Sequence, residues 1–135
     1  MPSRDVVENQ LVIQKPLSPR IQIVLNFADA NLGRKLSTRE LARSVQISPY
    51  QLCRLFRSEL GISPGQYIQA RRLEVASTLL ITTPMSVKQV YMEVGYKDKS
   101  LFLRHFKKRR GMTPSEYRAR YLADGPPAGF RAESD

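Results

Sequence analysis

A chain of 135 residues, 41% of them hydrophobic, is long enough for one domain or for two very small subdomains sharing a helix, with little room for a separate ligand-binding domain. Lys and Arg total 22 against 12 acids, a formal charge of +10 that favours a polyanionic partner, either nucleic acid or an anionic membrane surface. The single cysteine, Cys53, excludes an internal disulfide framework, and neither a membrane-spanning apolar run nor a signal-peptide core is present, so the natural reading is a soluble cytoplasmic protein.

Residues 1–17 read as a leader or linker, polar apart from Leu11, Val12 and Ile13 and stopped by Pro16. Helix-start signals then recur. Ser37-Thr38-Arg39-Glu40 has the pattern of a capping box, in which a serine oxygen and a Glu or Gln side chain each satisfy a free backbone donor. Ser48-Pro49-Tyr50-Gln51, Ser63-Pro64-Gly65-Gln66, Ser86-Val87-Lys88-Gln89 and Thr113-Pro114-Ser115-Glu116 repeat it, three times with proline at the first helical position, where its missing N–H costs nothing. Gly33, Gly61, Gly95 and Gly111 sit where helices would stop. The apolar spacing between these marks predicts seven helices, at about 19–32, 38–45, 49–60, 64–82, 87–94, 99–110 and 114–122, and an all-α fold. A segment rich in Gly and Pro, 123–135, reads as a flexible tail.

The helices repeat. Shifted by 50 residues, Arg54, Phe56, Gly61, Pro64 and Tyr67 fall on Arg104, Phe106, Gly111, Pro114 and Tyr117. Upstream the shift is 49, with Ser37 on Ser86, Glu40 on Gln89, Leu41 on Val90 and Val45 on Val94, so the second connecting turn carries one extra residue. Each copy is a capped short helix, a tight turn and a longer basic helix, which is the layout of a DNA-binding helix-turn-helix. An exposed helix fits the major groove, where arginine pairs bidentately with guanine. Basic residues concentrate in the second copy: Lys97, Lys99, Arg104, Lys107, Lys108, Arg109 and Arg110 stand against one acid, Asp98.

Leu41-Ala42, Ile47-Ser48, Leu52, Arg54, Phe56, Gly61, Ser63-Pro64 and Tyr67 resemble the first half of an AraC/XylS-type transcription regulator's DNA-binding domain. Val94-Gly95-Tyr96, Asp98, Ser100, Phe102, Arg104, Phe106-Lys107-Lys108, Gly111, Thr113-Pro114 and Tyr117-Arg118 resemble its second half more closely still. The resemblance covers 18–122. It implies a helix-turn-helix subdomain at 18–63, a linker helix at 64–82 and a second subdomain at 83–122, with the third and sixth helices entering adjacent major grooves of an asymmetric site. Carried over by position, the base-reading residues are Tyr50, Cys53 and Arg54 in one helix and Lys99, Ser100, Leu103 and Arg104 in the other. Arg54 and Arg104 are the foremost of these, with a structural ion pair or a phosphate contact as their other reading. Tyr50 either packs on a thymine methyl or the sugar backbone, or shields the turn. Cys53 stands where the family often has a polar side chain, and Leu103 offers apolar contact only. Arg57, Lys107 and Lys108 suit phosphates, as do the helix starts capped by Ser37 and Ser86.

Other residues read as structure. Leu41, Ala42, Val45, Leu52, Leu55, Phe56, Val90, Val94, Phe102 and Phe106 have the spacing of packed helix faces, and Tyr67 and Tyr117 are expected to pack on the preceding subdomain. His105, the only histidine, reads as a surface or phosphate-adjacent residue. With one His, one Cys, no phosphate loop and no metal-ligand spacing, there is no catalytic constellation and no cofactor or metal site to expect. The expected partner is double-stranded DNA, bound by a monomer, with direct contact to RNA polymerase as a further expectation and no effector domain in view. The rival reading is a non-sensing interaction protein that competes with a full-length relative, or binds polyanions without sequence preference.

Overall fold

The computed structural model describes residues 16–124; residues 1–15 of the expected leader (with Leu11 to Ile13) and 125–135 of the expected tail lie outside them, whereas Leu17 of that leader is buried in the core and Ala123 and Asp124 of that tail continue the last helix. The described chain is all-helical, with seven helices: α1 (Pro19–Ala30), α2 (Thr38–Arg43), α3 (Pro49–Leu60), α4 (Pro64–Thr82), α5 (Val87–Glu93), α6 (Lys99–Arg110) and α7 (Pro114–Asp124). It divides into two compact units that meet between Arg71 and Arg72, inside α4.

Capping chemistry sets the boundaries. Reciprocal boxes form at Ser48 with Gln51 and at Ser86 with Gln89. Ser63 with Gln66 and Thr113 with Glu116 form the same paired bonds, at 2.8–3.1 Å. Ser37 forms only half of its box: its oxygen accepts from the Glu40 N–H, but the Glu40 carboxylate turns to the Arg34 guanidinium instead. An ionised partner on the preceding loop thus outcompetes the Ser37 N–H. Two caps escape the sequence reading, Ser18 on α1 and Asp98 on α6. Gly61 and Gly111 end α3 and α6 in the left-handed region, at φ 77° and 79°. Gly33 does not cap α1, which stops earlier at Asn31.

The extra residue of the second copy can be located. Ile47 N–H bonds to Ala42 C=O in the first unit, and Tyr96 N–H bonds to Tyr91 C=O in the second, both 49 residues apart. The next helix caps, Ser48 and Asp98, are 50 apart. Lys97 is therefore the insertion. The left-handed residue of that turn is Gly95 in the second unit, at φ 100°, but Gln46 in the first, at φ 58°.

The first unit buries Ile21, Val24, Leu25 and Ala28 of α1 with Leu41, Ala42, Leu52, Phe56, Leu60, Tyr67 and Ile68. Tyr67 meets the Phe56 ring edge-on at 6.2 Å, and its hydroxyl donates to Asp29 at 3.0 Å. Arg71 donates to the same oxygen at 3.0 Å, so a nearly buried ion pair and a tyrosine join α1 to α4. The second unit packs Leu73, Ala76, Leu80, Val90, Tyr91, Val94, Tyr96, Phe102, Phe106 and Tyr117 into one cluster. Of the expected core residues, Val45 and Leu55 are only half-buried. Arg118 reaches back to the end of α4, donating to the carbonyls of Leu80, Thr83 and Met85 at 2.6–3.3 Å. Carbonyls left without a partner at that helix end are satisfied by one guanidinium.

Candidate nucleic-acid interface

In the first unit, α3 buries Leu52, Phe56 and Leu60 and turns its other side outward. Tyr50, Arg54 and Arg57 follow one another at helical spacing on that outer side, and all are exposed; Tyr50 retains 71% of its accessible surface. The Arg54 guanidinium lies over the Tyr50 ring, 5.8 Å from its centroid. That contact restricts Arg54 without consuming its donors. Cys53 borders the stripe, half-buried, as a free thiol. An open depression of about 330 Å³ runs beside the stripe, lined by Arg20 of α1, Ile47, and Gln51, Arg54, Leu55 and Ser58 of α3.

In the second unit, Lys99, Ser100, Arg104, Lys107 and Lys108 are exposed on α6. Leu103 is half-buried and packs against the core, so only part of it faces outward. The basic run sorts into two groups. Arg110 turns inward, its Nε donating to Ser77 at 2.9 Å and its guanidinium lying over Tyr117, and Arg109 sits 3.9 Å from Glu74. The cations of the run left on the surface are Lys97, Lys99, Arg104, Lys107, Lys108 and, beside Glu74, Arg109. Among the described residues, no carboxylate pairs with Arg54 or Arg104, so the ion-pair reading of these two is set aside.

His105 is half-buried rather than a surface residue, and its Nδ1 lies 2.8 Å from the Tyr96 hydroxyl. Burial, then repulsion by Arg104 and Lys108, lowers its pKa. Burial also pushes the Tyr96 hydroxyl up to about 12, with Arg72 opposing. Tyr96 and His105 share this hydrogen bond, with the tautomer of the imidazole deciding which of the two donates. The bond ties the middle of α6 to the turn before it, which fixes how Arg104 is presented.

Ser37 and Ser86 are exposed, and each hydroxyl oxygen already accepts a helix-start N–H, at 3.1 and 3.0 Å. The sequence reading missed Asp29, Arg20 and the two extra caps. Ser18-Pro19 repeats a signature read elsewhere in the chain, and Asp98 is a capping residue type immediately before a helix. The Asp29 contacts bridge more than 35 positions in the chain and leave no local mark. No helix among the described residues is long and apolar enough to cross a membrane.

A family profile described as a helix-turn-helix domain matches residues 41–120. The lactose operon transcription activator of Staphylococcus xylosus is 37% identical over 98 residues, covering 73% of this chain and 35% of that protein. The arabinose operon regulatory protein of Escherichia coli K12 is 34% identical over 108 residues, covering 79% of this chain and 37% of that one. The chain thus spans little more than a third of the length of these two relatives. The crystal structure of the DNA-binding domain of AdpA, a global transcriptional factor in complex with a target DNA, superposes with a TM-score of 0.73 and 30% identity, over 78% of this chain and 95% of that one.

Proposed function

Since this chain belongs to the AraC/XylS-type helix-turn-helix family of transcription regulators, as its DNA-binding portion, we propose that it reads an asymmetric promoter site through α3 and α6 in adjacent major-groove segments. The observation that carries this reading is the repeated exposed stripe: each unit turns an arginine, Arg54 or Arg104, outward from a helix whose opposite face is buried. In the AdpA structure, a domain of this kind is in complex with a target DNA.

In this scheme Arg54 and Arg104 pair with guanine edges, and Tyr50, Lys99 and Ser100 make the neighbouring base contacts. Cys53 and Leu103, both half-buried, add apolar contact at the margin. Arg57, Lys107 and Lys108 neutralise flanking phosphates. Ser37 and Ser86 have their oxygens engaged as caps, so their contribution is the hydroxyl proton, donated to a phosphate oxygen. With a reading head in each unit, 18–63 and 83–122 flanking the helix at 64–82, one chain suffices for one site.

Selection of bound duplexes from a random pool, followed by footprinting of the winner, tests the scheme. The expected footprint is asymmetric and spans about two helical turns. Protection of a single groove segment, or equal affinity for selected and unrelated duplexes, overturns it.

A further inference from the structure

Resting on that reading, we propose that the depression beside α3 is the seat of one backbone phosphate of the bound duplex, with Arg20 of α1 as its principal cation. Gln51, Leu55 and Ser58 lie roughly a quarter-turn around α3 from Tyr50, Arg54 and Arg57. A helix about 10–12 Å across fills a major groove about 12 Å wide, so its flanks come against the sugar–phosphate strands that border the groove. The depression lies on such a flank.

Its lining matches a strand in chemistry. Ile47 and Leu55 offer apolar surface to a deoxyribose, Gln51 and Ser58 are polar, and Arg20 and Arg54 supply positive charge from two different helices. The start of α1 is fixed in place beside α3, because the Ser18 N–H donates to the Glu59 carboxylate at 2.8 Å and Leu17 is buried. Arg20 therefore projects from an anchored segment, which gives it a positional role that a freely moving surface cation lacks. Arg54 would then serve both the base edge and the strand beside it.

The test compares the intact chain with Arg20→Ala and Arg20→Lys on the selected duplex and on an unrelated one, by fluorescence anisotropy across a salt series. Arg20 is exposed, so the variants fold, which circular dichroism checks. Arg20→Ala is expected to weaken binding to both duplexes alike, roughly three- to tenfold, and to make the log–log salt slope shallower by about 0.9. Arg20→Lys restores most of the slope. Scanning the selected duplex with single neutral methylphosphonate linkages should find one linkage that weakens the intact chain but not Arg20→Ala. Unchanged affinity and slope, a loss confined to the selected sequence, or the absence of any such linkage overturns the phosphate seat while leaving the two-helix reading standing. If the intact chain prefers no sequence at all, that reading fails and the seat with it.

Discussion

Arg104 and Lys107 lie one turn apart on α6, are both exposed, and are expected to fail differently. A bidentate arginine–guanine pair is worth about 1–3 kcal/mol of discrimination, so Arg104→Ala should relax sequence preference at one or two base pairs. Lys107→Ala should weaken all duplexes about equally and flatten the salt dependence by roughly one ion. Competition assays with single-base variants of the selected site separate the two; equal losses for Arg104→Ala on cognate and random DNA would count against base reading. His105 adds a pH dependence. Its pKa in the fold lies below the ordinary 6.5, so the unfolded chain takes up the proton more readily. The stability it contributes is complete above that ordinary value and is lost as the pH falls through the lower, folded one. Urea unfolding between pH 8 and 5 should show this loss in the parent and a smaller one in His105→Gln, whose amide can either donate to or accept from the Tyr96 hydroxyl.

At the level of elements, most of the fold was legible because each helix announces its start. Ser-Pro and Thr-Pro dipeptides with Gln or Glu two residues on mark α3, α4 and α7 to the residue, and the predicted α3, α4 and α6 agree with the observed spans. What escaped was decided across the chain. Glu40 gave up its capping role to Arg34, and Leu55 has core spacing yet borders an open depression. Of the candidate interface, the exposed arginines followed from the repeat and the family pattern, whereas the inward turn of Arg110 depends on Ser77, more than 30 positions away. The turn after α2 offers a direct test of strain. Left-handed backbone costs an ordinary residue about 1–2 kcal/mol, and glycine gives back about 0.5–1 kcal/mol in chain entropy. Gln46→Gly should therefore stabilise the protein by about 0.5–1 kcal/mol, read from the denaturant midpoint, and bring the turn into line with Gly95. A lowered midpoint would mean that the glutamine side chain makes a contact worth more than the strain.

For the whole molecule, the two copies resemble each other in plan but not in detail. Lys97 lengthens one turn and not the other, and Tyr50, Cys53 and Arg57 stand where the second helix has Ser100, Leu103 and Lys107. On the proposed reading, heads that differ in this way are expected to prefer different half-sites, so a duplex with its halves exchanged should bind like unrelated DNA in a gel-shift titration. Full affinity for the exchanged duplex would show that the heads are interchangeable.

The inward-facing arginines bear on how strongly the protein is expected to hold arbitrary sequence. Arg71, Arg110 and Arg118 are held by Asp29, Ser77 and the end of α4, so these three guanidinium groups are engaged within the fold. Formal charge consequently overstates the grip on arbitrary sequence. Non-specific affinity is therefore expected to follow the smaller outward set, with a salt slope shallower than the formal charge alone would give.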